Sequence, residues 1–303
     1  MTMKTKAITP LLYYVVFNLF ISLNGLSAIS DTKQTILTSI YPVYVIAKNV
    51  SGDLFKVENL LPPGENPHEY QLKPEDVKKI QNADLIILNG LGIDDWLVET
   101  ISRVNPEKNK TIRLITTNLS LIYISNDTSS KYRTIPDPHF WLDPTLMMQA
   151  ASNLSGFLTE LSPQKKIQIE QNLNSFCERL LNLDKKLKDE LSAVKNKSII
   201  FQHNAYEYFA LRYGLEIVGY VEEVPGAPSS PQYLSRLIKN ARKFKAAAVF
   251  GEPYGSNELV KRIAEELKIP YAVIDPLEIG NSDPEYYEQK MLENLNIIKN
   301  TLK

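Results

Sequence analysis

Cysteine is almost absent from this chain: Cys177 stands alone among 303 residues, so no intramolecular disulfide can form and cysteine usage leaves the redox compartment open. Histidine is nearly as scarce, with only His68, His139 and His203. Charge of either sign is not in surplus, since 34 Lys+Arg face 35 Asp+Glu for a formal net charge of −1. Such a balance offers no excess of positive charge for gripping phosphates, no basic tract is interleaved with aromatics, and no nucleic-acid partner is expected. The apolar run Leu11–Leu23 falls short of the ~20 residues that span a bilayer, and Asn18 interrupts it. Glycine and proline are missing altogether between Gln164 and Tyr213.

That short apolar run follows Lys4 and Lys6 and precedes Asn24-Gly25-Leu26-Ser27-Ala28, the layout of a cleaved secretory signal peptide over residues 1–28. No cysteine lies near it to carry a lipid anchor, so the expectation is a periplasmic protein with no stable membrane insertion once the leader is removed. Beyond it, short β-rich runs alternate with amphipathic stretches, the pattern of parallel sheets covered by helices. The spacing predicts strands near Thr35–Ile40, Lys56–Leu61, Asp84–Asn89 and Thr111–Thr116, then near Ser198–Gln202, Glu216–Val221, Ala247–Phe250 and Tyr271–Ile274. Helices are expected near Pro42–Val50, Pro74–Asn82 and Asp94–Val104 in the first half. In the second they are expected near Ala205–Tyr213, Pro231–Phe244, Asn257–Leu267 and Pro284–Leu302. The stretch free of glycine and proline carries Ile169, Leu173, Phe176, Leu180, Leu183, Leu187 and Leu191 at steps of four and three, one apolar stripe on a long helix. The organisation expected is an N-terminal α/β lobe over 29–162, a connecting helix over 163–194 and a C-terminal α/β lobe over 195–303, with the stripe packed inside one monomer.

The three histidines sit in loops or directly after strands. His68 follows the Lys56–Leu61 strand through Pro62-Pro63-Gly64-Glu65-Asn66-Pro67, His203 follows Ser198–Gln202, and Asp275 follows Tyr271–Ile274. Ligands of open α/β sheets bind beyond the carboxyl ends of strands. His139, in Asp137-Pro138-His139-Phe140-Trp141-Leu142-Asp143-Pro144, has no clear strand before it. The residues alone leave two readings open: a divalent metal held by His68, His139, His203 and Asp275, or histidines satisfied separately by their surroundings.

At these residues the sequence resembles the zinc/manganese solute-binding proteins of ABC importers. The resemblance is carried by Leu61-Pro62-Pro63-Gly64-Glu65-Asn66-Pro67-His68-Glu69-Tyr70, by Ile80-Gln81-Asn82-Ala83-Asp84-Leu85-Ile86-Ile87-Leu88-Asn89-Gly90-Leu91-Gly92, by Asp137–Pro144, by His203 with Tyr208-Phe209 and Tyr213-Gly214, and by Asp275-Pro276-Leu277. It implies two four-stranded lobes joined by one long helix, one divalent ion in the cleft between them, and a membrane permease as partner. By position His68 and His139 match the N-lobe ligands, His203 the first C-lobe ligand and Asp275 the carboxylate. Two departures stand out. Asn118–Pro136 contains none of the histidines that many zinc-specific members carry in that loop, which leaves manganese open as the cargo. The lone Cys177 also excludes the C-lobe disulfide of some members. Zinc remains favoured by the softness of imidazole ligands. Glu69, Glu207 and Glu252 are candidates to orient the imidazoles. A zinc hydrolase needs an open fourth position and a general base; with Asp275 closing the shell and no base beside it, the sequence reads as a binding protein and not an enzyme. A chelate-binding protein would instead need a roomy cleft lined by arginines or aromatics.

Overall fold

Burial sorts the strands into central and edge positions. In the computed structural model, which describes residues 33–104, 107, 112–125, 134–222, 226–254 and 256–302, Leu85–Leu88 (β3) is buried at every residue, as is Thr35–Thr38 (β1) after its first residue. Strands buried on both faces belong inside a covered parallel sheet, β3 as a continuous apolar run and β1 with its Ile36 and Leu37 between threonines. The partly exposed Lys56–Asn59 (β2) and Ile112–Leu114 (β4) flank them, and the order β2-β1-β3-β4 is parallel throughout. The second sheet repeats the logic. Ser198–Phe201 (β7) and Ala248–Gly251 (β9) are wholly buried, Glu216–Tyr220 (β8) and Tyr271–Val273 (β10) flank them, and the order β10-β9-β7-β8 is again parallel. Read from its other edge, the second sheet has the same strand permutation as the first. In chain order between the two sheets, Tyr123–Ser125 (β5) and Thr134–Pro136 (β6) form a small antiparallel pair.

Helices Tyr41–Ser51 (α1), Pro74–Asn82 (α2) and Asp95–Val104 (α3) accompany the first sheet. Glu207–Tyr213 (α6), Pro231–Lys243 (α7), Glu258–Leu267 (α8) and Tyr286–Thr301 (α9) accompany the second. Their starts are written in local chemistry. The Ser230 hydroxyl accepts the Tyr233 N–H at 3.2 Å ahead of Pro231, and the Asp143 carboxylate accepts the Thr145 N–H at 2.7 Å ahead of Pro144. The expected connecting helix is Lys166–Ser192 (α5), 27 residues entered through a 3-10 turn at Pro163–Lys165. Its stripe packs within the chain, against α1, α9 and a helix the sequence reading passed over, Pro144–Leu161 (α4).

Asp184 interrupts that stripe as a buried carboxylate, and the Arg212 guanidinium forks onto it through two 2.7 Å bonds while the Tyr213 hydroxyl donates at 3.0 Å. Burial alone would raise the Asp184 carboxyl; the paired Arg212 outweighs it and holds the group below the ordinary carboxylate range. Arg212 also reaches Asp143 at 3.4 Å, so one side chain joins α5, α6 and the start of α4. Gln34–Lys303 forms one compact unit. The expected signal peptide, residues 1–28, lies outside the described residues, as do 126–133 of the histidine-free segment. Among the described residues no helix is long and apolar enough to cross a membrane.

Candidate metal centre

Each histidine is delivered by a short, hydrogen-bonded piece of loop. After β2 the chain turns at Gly64, whose φ of +87° suits glycine, and the Asn66 side chain accepts the His68 N–H at 2.9 Å, fixing the backbone that presents the ring. His139 precedes a 3-10 turn at Phe140–Leu142, and Asp137 accepts both its backbone N–H (3.0 Å) and its ring Nδ1–H (2.6 Å). His203 lies two residues past β7, with its Nδ1 2.6 Å from Glu252 Oε1 at the end of β9. When Nδ1 gives its proton to a carboxylate, a neutral imidazole must present its Nε2 lone pair to the opposite side.

All three Nε2 atoms point at one oxygen. Glu278 Oε1 is 3.3 Å from His68 Nε2, 3.1 Å from His139 Nε2 and 3.1 Å from His203 Nε2. The four ligand atoms lie within 4.8 Å of one another, an arrangement able to hold a divalent ion. His139, His203 and Glu278 are buried, whereas the His68 side chain is 24 % exposed and closes the mouth. A cleft of about 490 Å³ leads to it, lined among others by Asn66, Glu69, Glu222 and Tyr254.

The electrostatics follow from this crowding. Burial pushes the Glu278 carboxyl up, but the imidazoles, His203 foremost, overcome it and hold the group well below the usual carboxylate value. Burial disfavours the charged forms of His203 and His139, yet Glu252 with Glu278 raises the first well above 6.5 and Asp137 with Glu278 raises the second. Burial raises the Glu252 carboxyl itself, against the pull of His203.

Of the four residues expected from the sequence, the structure brings His68, His139 and His203 together and puts Glu278 in place of Asp275. The reason is local. Asp275 Oδ1 is occupied by the Leu277 N–H at 2.8 Å, while its backbone N–H and C=O are both bound by the Asn294 amide, at 2.9 and 2.7 Å. Burial pushes its carboxyl up to about 6. Asp275 therefore folds the turn, and the turn delivers Glu278 three residues later. Among the expected orienting groups, Glu252 holds His203, whereas Glu207 bonds the Tyr220 hydroxyl and Glu69 stays at the exposed mouth. Asp137, which orients His139, was missed although it lies two residues away.

A family model described as "Zinc-uptake complex component A periplasmic" matches residues 36–301. The Zinc-binding lipoprotein AdcA of Streptococcus pneumoniae is 31 % identical over 283 residues, covering 90 % of this chain, but this chain spans only 56 % of that relative's length. The Metal ABC transporter substrate-binding lipoprotein SsaB of Streptococcus sanguinis is 28 % identical over 275 residues, covering 88 % of each chain. Among solved structures, one titled "Crystal structure of ZnuA" superposes with a TM-score of 0.76 at 28 % identity, over 89 % of this chain and 100 % of the other. Zn(II)-bound AdcA from Streptococcus pneumoniae gives 0.74 at 31 %, over 89 % of this chain and 58 % of the other.

Proposed function

This chain belongs to the family of periplasmic zinc-uptake components, the metal-binding solute-binding proteins of ABC importers, and we propose that it captures Zn2+ on His68, His139, His203 and Glu278 and hands it to a membrane permease. The observation that carries the reading is the convergence of three Nε2 atoms and one carboxylate oxygen within 4.8 Å. Three neutral imidazoles and one carboxylate suit the tetrahedral nitrogen-rich shell of zinc, and they leave a bound divalent ion with a net charge of about +1. Manganese stands lowest in the divalent affinity series and prefers more oxygen ligands. A bidentate Glu278 would supply one more oxygen, which is the route by which manganese becomes the alternative cargo.

Four protein ligands close the shell, and the carboxylates beside it, Asp137 and Glu252, are engaged in orienting imidazoles. The family is one of binding proteins and not enzymes. We place the working protein in the periplasm as a monomer, with 29–162 and 195–303 as lobes around 163–194. The deciding experiment is direct competition between Zn2+ and Mn2+ at neutral pH on protein freed of metal. Zinc should win by well over tenfold, or more than about 1.4 kcal/mol. A ratio near one, or displacement of zinc by manganese, overturns zinc while leaving transport intact; failure to bind either ion overturns the whole reading.

A further inference from the structure

We propose that Trp141 is a positioning residue of the metal centre, setting the spacing between His139 and Glu278 by holding the turn that carries Glu278; this rests on the reading of those residues as metal ligands. Trp141 is fully buried two residues after His139, and its ring lies 5.1 Å from the His139 ring in an edge-on arrangement. A buried indole N–H must find an acceptor. Here the acceptor is the carbonyl of Pro276 at 2.8 Å, 135 residues away along the chain and two residues before Glu278. The Trp141 carbonyl in turn accepts the Tyr287 O–H at 2.6 Å, so the bracket is gripped from both sides.

What it grips is a strained turn. Leu277, immediately before Glu278, has φ +61° and is completely buried, although leucine has no preference for the left-handed region. A non-glycine residue stays there only when its surroundings over-determine it. Asp275 and Asn294 hold the turn from within the C-terminal half, and Tyr206 donates to the Ile274 carbonyl at 3.3 Å. Beside the His139–Glu278 contact itself, the Trp141 indole ties this turn to the segment bearing His139 through a backbone carbonyl. Remove it, and the two ligands are positioned by separate parts of the chain, free to settle at the spacing a larger or more highly coordinated ion prefers.

The test uses the full chain with Co2+ as a spectroscopic probe and with Zn2+ and Mn2+ in competition. Trp141→Phe keeps a buried ring and deletes the donor; incorporation of benzothienylalanine at the same position keeps the bicyclic volume and deletes only the N–H, which covers failure of the first variant to fold. Zn2+ binding should weaken by about 10–100-fold, the range for loss of a group that orients metal ligands. The Co2+ d–d spectrum should change shape and the zinc-over-manganese ratio should shrink, whereas Trp96→Phe, whose indole donates to the Ile93 carbonyl, should change neither. Wild-type spectrum, affinity and metal ratio in a folded Trp141 variant overturn the proposal even if its melting temperature drops, since that would be a purely structural role. Absence of Co2+ and Zn2+ binding in the wild type, or unchanged binding in His139→Ala, overturns the ligand assignment and this inference with it.

Discussion

Glutamine at position 278 would preserve the shape of the fourth ligand while removing its charge, and asparagine at 275 would preserve the acceptor that the turn requires. Glu278→Gln should therefore weaken zinc binding more than ~10-fold, while Asp275→Asn, whose side-chain oxygen can still take the Leu277 N–H, should stay within a few-fold. Chelator competition on both variants separates the roles, and the reverse ranking would return Asp275 to the ligand set. Protonation gives a second prediction at this scale. Only a deprotonated imidazole ligates, and His203, charged more readily through Glu252 and Glu278 despite its burial, has its pKa raised well above 6.5. Zinc affinity should begin to fall while the pH is still above 6.5 and continue falling through it. Metal-free stability runs the other way: a raised folded-state pKa stabilises fully below the unfolded value and is lost as pH rises through the folded one. Titrations of affinity and of metal-free melting temperature between pH 5.5 and 9 should show these opposite slopes, and parallel slopes would contradict the assignment of protons to His203 and His139. The histidines were legible because so few exist and each follows a strand end or a proline turn. Glu278 was not, because its place depends on the Leu277 backbone and on Asn294, contacts that no spacing rule encodes.

At the scale of single elements, the segment after β10 is confined from outside as well as from within. A Cβ on Gly280 would lie 2.1 Å from the ring of Tyr41, which is buried in α1. Gly280→Ala should cost ~1–3 kcal/mol by overpacking and should weaken zinc binding by shifting Glu278, both readable by denaturant unfolding and chelator competition. An alanine variant as stable and as tight as wild type would mean that α1 moves freely. The Arg212 fork makes the other prediction: Arg212→Met leaves the Asp184 and Asp143 carboxylates without their cation. Because the arginine is about a third exposed, the loss should be ~1–3 kcal/mol, below the 3–5 of a fully buried pair. The Asp184 contribution is present above the unfolded carboxylate value near 3.8 and disappears as pH falls through its lowered folded value, so the variant and wild type should converge in strong acid. The eight strands of the two main sheets and the helices capped by proline were readable from apolar runs and breakers. Helix α4 was equally marked, by Asp143-Pro144 and by Leu146, Met147, Ala150, Ala151, Leu154 and Leu158 at helical spacing. The β5–β6 pair, Tyr-Ile-Ser against Thr-Ile-Pro, lacks a continuous apolar run to mark it.

For the molecule as a whole, a bound divalent ion would add a stabilising term set by mass action, about 2.7 kcal/mol at a free concentration a hundred times the dissociation constant. The melting temperature should rise with zinc in the wild type and stay flat in a His139→Ala, His203→Ala double variant; equal rises in both would locate the ion elsewhere. The 27-residue helix α5 packs against α1, α4, α6 and α9, so loading should change the overall dimensions little by small-angle scattering. The span of the centre along the chain has a further consequence, one of timing. His68 and Glu278 are 210 residues apart, with His139 and His203 between them, and no short fragment contains more than one imidazole. A nascent or extended chain therefore owns no binding site, and the earliest moment of loading is the completion of the entire fold. If the polypeptide is threaded through an export channel as an unfolded strand, it arrives empty, and the ion it carries is one collected after arrival.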